Sequence, residues 1–104
     1  MIDKIYCAQV KPEMEGQRVK LAGWVYRKRE IKDKVFIVLR DSSGIIQTVF
    51  KEELSKEAYE TAKKTGIESS VIIEGIVKQD KRAPGGVEIQ TDKIEVFKTL
   101  SSSQ

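Results

Sequence analysis

The sequence predicts an all-β domain, a five-stranded closed Greek-key barrel of the OB-fold type with one α-helix between its third and fourth strands. Three observations predict it. Five segments alternate apolar and polar residues and are separated by turn-forming residues. A helical period occurs once, at residues 52–65, after the third of those segments. A glycine interrupts the interior of the first and the fourth segment, where the lack of a Cβ permits a sharp bend. An SH3-like barrel and a small α+β sandwich are the alternatives, and the position of the helix favours the OB-fold.

Residues 1–16 read as a lead-in ending at Gly16, with Pro12 barring a continuous strand or helix. From Arg18, Val19, Leu21, Gly23 and Val25 fall on one face and Lys20, Ala22, Trp24 and Tyr26 on the other, a strand of about nine residues. The charged stretch Lys28–Asp33 reads as a loop. The second strand is Val35–Arg40, Asp41–Gly44 is a turn, and Ile45–Phe50 is the third strand, so strands two and three make a hairpin. From Glu52 to Thr65, Leu54, Ala58 and Ala62 recur every four residues. Glu52, Glu53 and Glu57 lie early, Lys63 and Lys64 lie late, and Gly66 is placed as C-terminal cap. Ser70–Lys78 is the fourth strand, with Gly75 as its bend, and Lys81–Gly86 is a loop. Val87–Thr91 and Ile94–Phe97 form the fifth strand, with an irregularity at residues 91–93. Residues 101–104 read as a linker or the cut end of a longer chain, so residues 1–104 make one domain.

Composition narrows the function. Its 104 residues are 39% hydrophobic and 34% charged, enough for one modest core under a solvated surface and too apolar for disorder. The Lys, Glu, Ile and Val usage fits a heat-adapted source. There is no histidine and only one cysteine, Cys7, which excludes histidine catalysis, His-ligated metal and a thiolate zinc site. One cysteine also makes no internal disulfide, which points to a reducing cytoplasm. No apolar run approaches membrane-spanning length and no signal-peptide pattern opens the chain, so no membrane partner is expected.

The net charge of +3 is small but unevenly placed. Arg27–Lys34 carries +3, Lys78–Arg82 carries +2, and the remainder sums to −2. In an OB-fold, nucleic acid lies on strands two and three, flanked by the loops joining strands one to two and four to five. Those loops are the two basic segments, so charge and topology point independently to one polyanion footprint. Taken singly, each segment reads better as a solvated hairpin tip.

If Val35, Ile37 and Leu39 face the core, Phe36 turns outward and can stack on an unpaired base; with the faces reversed it is core. Gln47 can donate and accept at a base edge, or simply face solvent. Glu88 only accepts and would suit a base N–H or amino group, or be a surface carboxylate with no specific role. Arg27, Lys28, Arg29, Lys81 and Arg82 would meet phosphates. Arg40 and Asp41 read as a pair closing the hairpin, and Trp24 as a packing residue in the core or under the barrel rather than a stacking platform. A generic single-strand binder would carry more exposed aromatics than Phe36 and Tyr26, and a protein-binding OB domain would need neither basic loop.

The run Gly23-Trp24-Val25, then Arg29, Phe36, Leu39-Arg40-Asp41, Gly44 and Gln47, resembles the N-terminal anticodon-binding domain of class IIb aminoacyl-tRNA synthetases. Glu68–Lys78 with Arg82–Gly86 looks most like the archaeal-type asparaginyl branch, the aspartyl branch coming next. The resemblance implies that Phe36 stacks on the central uracil of an anticodon, that Gln47 hydrogen-bonds it, that Glu88 helps read the anticodon, and that Arg29, with Arg27 and Lys28 near it, meets the RNA. It implies tRNA, and specifically tRNA-Asn, as partner. Aminoacylation, with its ATP and magnesium, belongs to a separate catalytic domain that cannot fit here, so this chain alone needs no cofactor and should not aminoacylate. A homodimer is implied for the full-length parent only. Many relatives have a glycine where this chain has Lys32-Asp33-Lys34.

Overall fold

The computed structural model describes residues 3–98. A two-residue strand, β1 (Lys4–Ile5), lies parallel to the start of β2 (Arg18–Ile31). β3 (Lys34–Asp41), β4 (Gly44–Lys51), β5 (Ser70–Gln79) and β6 (Val87–Lys98) follow, and α1 (Lys56–Lys64) sits between β4 and β5. The sheet order is β1-β2-β3-β4-β6-β5, and β5 pairs back onto β2, closing a five-stranded barrel. The expected fold is therefore the observed one, with the helix in the expected slot.

Strand alternation builds the core. Leu21, Val25, Ile37, Leu39, Phe50, Ile73 and Ile89 are all fully buried, and Ala58 and Ala62 seat the helix on them. Long strands can wrap this small barrel because two glycines let backbones approach. A Cβ on Gly23 would collide with the Arg40 carbonyl oxygen, and one on Gly75 with that of Gln90.

Four local expectations need correction. The first barrel strand runs fourteen residues, to Ile31, so residues 28–31 are strand and not loop; the turn is Lys32 and Asp33 alone, with Lys32 at φ 55°. Cross-strand pairing with β3 overrides the turn propensity of the charged run, because Lys28, Arg29 and Glu30 lie opposite Ile37, Phe36 and Val35. The helix begins at Lys56, not Glu52, because Ser55 caps it: the Ser55 hydroxyl accepts from the Ala58 N–H at 3.2 Å. Gly66 is not a left-handed cap. The helix ends at Thr65 in extended backbone, where the Thr65 hydroxyl donates to the Thr61 carbonyl at 2.7 Å. The lead-in has no continuous strand or helix, as expected, but besides β1 it carries two 3₁₀ turns, Cys7–Gln9 and Pro12–Met14, and buries Cys7 and Val10 in the core. Trp24 is only half-buried and stays outside that core cluster.

The irregularity expected at residues 91–93 is a bulge at Asp92, since Glu74 pairs with Lys93 and Gly75 with Thr91. Arg18 holds it, donating to both Asp92 oxygens at 3.1 and 2.7 Å and to Glu74 at 3.0 Å. The segment read as a linker, residues 101–104, lies outside the described residues. Among the described residues no helix is long and apolar enough to cross a membrane.

Candidate nucleic-acid interface

Directly paired residues on neighbouring strands share a face. On β3 the inward set is Val35, Ile37 and Leu39, which turns Phe36 and Val38 outward, both half-exposed. The two open readings of Phe36 thus resolve to the outer face. Pairing carries that face across four strands in two rows. One row is Arg29, Phe36, Val49 and Gln90, and the other is Arg27, Val38, Gln47 and Glu88.

A bulge decides which basic side chains join these rows. Val25 pairs with Leu39 but Arg27 with Val38, leaving Tyr26 as the extra residue. Without it, Lys28 would lie opposite Phe36. With it, Arg27 and Arg29 take the outer face, and Lys28 turns toward the helix. Its ammonium donates to the carbonyls of Lys63 and Thr65, each at 2.8 Å, which are orphan acceptors at the end of α1. Lys28 is therefore occupied at the helix end. Two guanidinium groups lie over the Tyr26 ring, Arg27 at 5.3 Å and Arg40 at 5.0 Å from its centre. Arg40 thus faces Tyr26, and Asp41 works without it. Asp41 Oδ1 accepts from the Ser43 N–H, the Ser43 hydroxyl and the Gly44 N–H, while Oδ2 accepts from the Cys7 N–H at 2.8 Å. Burial opposes the Asp41 charge, but these bonds from Ser43 and Cys7 outweigh it and hold its pKa below the ordinary value.

Two adjoining grooves share Arg29, Phe36 and Gln47. One is lined further by Tyr26, Arg27, Lys28, Val38 and Ile67. The other adds Ile31, Lys32, Asp33, Lys34, Asp80 and Arg82, so the two basic segments do meet in space. Lys81 is exposed beside Arg82 but lines neither groove. Phe36 lies half-exposed where the two grooves meet, and Arg27, Arg29 and Arg82 stand exposed around it.

Glu88 sits lower than expected for a contact residue. It is only 7% exposed, and both its oxygens are engaged: Oε1 accepts from Gln47 Nε2 at 3.0 Å and Oε2 from Gln90 Nε2 at 2.7 Å. Gln90 was missed in the sequence, although its spacing of two from Glu88 places it on the same strand face. Ile67, exposed at the groove wall, was missed as well, because it lies in the irregular link after the helix.

The tRNA anti-codon family, an OB-fold nucleic acid binding domain, matches residues 19–97. The asparagine–tRNA ligase of Thermococcus gammatolerans is 72% identical over 100 residues, covering 96% of this chain and 23% of that protein. The aspartate–tRNA(Asp/Asn) ligase of Archaeoglobus fulgidus is 48% identical over 95 residues, covering 90% of this chain and 22% of its own length. The crystal structure of asparaginyl-tRNA synthetase from Pyrococcus horikoshii superposes with a TM-score of 0.88 at 51% identity, covering 96% of this chain and 24% of that one. The chain spans about a quarter of the length of the relatives it matches.

Proposed function

Because the chain belongs to the tRNA anti-codon family of OB-fold nucleic-acid-binding domains, we propose that it binds tRNA by reading the anticodon, as the anticodon-binding domain of an asparagine–tRNA ligase. The observation that carries this reading is the outer face itself. A half-exposed aromatic, Phe36, lies beside the amide of Gln47, inside a rim of Arg27, Arg29 and Arg82. In this proposal Phe36 stacks on the central base, taken to be uracil. Gln47 pairs with its edge, supported by Glu88, and Arg27, Arg29, Lys81 and Arg82 meet phosphates. Lys28, held on the helix carbonyls, supports the fold there instead.

The partner under this reading is the anticodon stem-loop of tRNA-Asn in the cytoplasm. Aminoacylation, with ATP and magnesium, and any homodimer are assigned to the remaining length of a parent enzyme. The similarity to an aspartate–tRNA(Asp/Asn) ligase favours tRNA-Asp as the second candidate. Both would share the central uracil, so the interface chemistry serves either.

Titrating the chain with stem-loops that differ only at the central base tests the reading. Uracil should bind more tightly than cytosine by about tenfold, a modest value for one good edge contact. Equal affinities would defeat it.

A further inference from the structure

We propose that Glu88 and Gln90 are positioning residues that lock the polarity of the Gln47 amide, and that this lock makes Gln47 a reader of uracil rather than of either pyrimidine. The inference rests on the proposal that Gln47 meets the central anticodon base. It starts from an ambiguity in amide chemistry. A glutamine side chain presents an acceptor and a donor side by side, and rotating its last bond by half a turn exchanges them. Uracil offers an N3–H donor next to an O4 acceptor. Cytosine offers an N3 acceptor next to an N4 amino donor. A freely rotating glutamine can therefore satisfy both bases, one in each orientation, and selects neither.

The structure removes that freedom. Glu88 lies directly across from Gln47 on the neighbouring parallel strand. Its carboxylate has acceptors only, so the Gln47 group facing it at 3.0 Å must be the NH₂. The half-turned amide would put Gln47 Oε1 against Glu88 Oε1 in a site where the carboxylate is 7% exposed. Two acceptors in contact there would each forfeit a hydrogen bond. The carboxylate cannot swing aside to relieve that contact, because its other oxygen is tied to Gln90 Nε2 at 2.7 Å. Gln47 is left with its carbonyl oxygen and one N–H for a base. That ordered pair is the complement of uracil and the mirror of what cytosine requires. Gln90 thus acts two steps away from the base, through Glu88 and then Gln47.

The test uses the intact chain against uracil-centred and cytosine-centred stem-loops, with melting curves to confirm that each variant folds. Glu88→Gln keeps the shape but can donate as well as accept, so it frees the amide. The expected result is a gain of roughly tenfold for the cytosine loop, with uracil affinity changed by no more than about threefold. Gln90→Ala should narrow the ratio in the same direction and by less; it serves as the test if Glu88→Gln does not fold. In a Gln47→Ala background, Glu88→Gln should leave the ratio unchanged. The lock is overturned if neither variant raises cytosine binding while Gln47→Ala still narrows the ratio. It is also overturned if Glu88→Gln acts equally in the Gln47→Ala background, which would mean that Glu88 touches the base itself. If Gln47→Ala alone leaves the ratio intact, the underlying reading fails and the lock with it.

Discussion

β3 runs between two hairpin turns that are built in opposite ways. At its end, Asp41 and the Ser42-Ser43 turn are stitched into the molecule. The Asp41 carboxylate accepts four hydrogen bonds, and the Ser43 hydroxyl accepts from the Ala8 N–H at 3.0 Å, so turn and lead-in fold as one unit. At its start, Lys32 and Asp33 form an exposed two-residue turn whose side chains make no hydrogen bond or ion pair among those of the described residues. The same strand therefore has a closed end that is tied into the fold and an open end at the rim of the groove. Its two faces divide in the same way: Val35, Ile37 and Leu39 point to the core, and Phe36 and Val38 to the groove.

That division predicts that neighbouring residues fail differently. Ile37→Ala leaves a cavity in the barrel and should cost about 2–5 kcal/mol of stability, with the uracil preference of the molecules still folded unchanged. Phe36→Ala, one residue away, should barely move the melting temperature but weaken binding to every stem-loop by about 1–3 kcal/mol, since stacking tolerates any base. Thermal melts and titrations on both variants check this. A Phe36→Ala protein that melts like Ile37→Ala would place Phe36 in the fold and not in the interface.

The stitched end gives the next effect in size. Asp41→Ala should cost about 1–3 kcal/mol by leaving the Cys7 and Ser43 donors unpaired, with RNA affinity unaltered. The pH dependence has a defined sign. The Asp41 pKa lies below its ordinary 3.8 in the folded protein. Its contribution is therefore complete above about pH 3.8 and lost as the pH falls through the folded value. The wild-type chain should lose its advantage over Asp41→Ala in that acid window and show none of this loss between pH 5 and 8. An advantage that declines near neutrality would assign it to another group.

The contrast between the two ends also explains what could be read without coordinates. The inward faces of β3 and β4 follow a period of two, so the hairpin and the outward Phe36 follow from apolar spacing once the core side is known, and the single helical period after the third strand points to the barrel. What alternation cannot convey is a one-residue bulge. Tyr26 inverts the parity of everything after it, and nothing in Val25-Tyr26-Arg27-Lys28 marks that inversion. Three basic residues in a row look equivalent as charge, yet the bulge turns Arg27 and Arg29 to the outer face and leaves Lys28 at the groove wall with its ammonium tied to the helix end. The clamp around Glu88 was hidden for a related reason. It depends on β4 lying parallel to β6, a contact between residues 41 positions apart that local pattern does not encode.

The smallest expected effect is the sharpest test of that parity. Lys28 and Arg29 are adjacent, both cationic, and indistinguishable in a count of charge. Arg29 is exposed in the groove, whereas the Lys28 side chain is 16% exposed with its ammonium on two helix carbonyls. Replacing each by Met removes one charge and keeps an apolar stem. If Arg29 neutralises a phosphate, Arg29→Met should make the slope of log affinity against log salt shallower by about 0.7, the single-strand value per contact, at nearly unchanged stability. Lys28→Met should do the reverse. It should leave the salt slope where it was and lower stability by about 0.3–1 kcal/mol, the usual worth of a cation at a helix C-terminus. The measurements are affinities across a salt series and a denaturant unfolding curve for each variant. Equal slope changes in the two variants would mean that Lys28 leaves the helix to meet RNA, and that the bulge at Tyr26 does not decide which basic residues form the footprint.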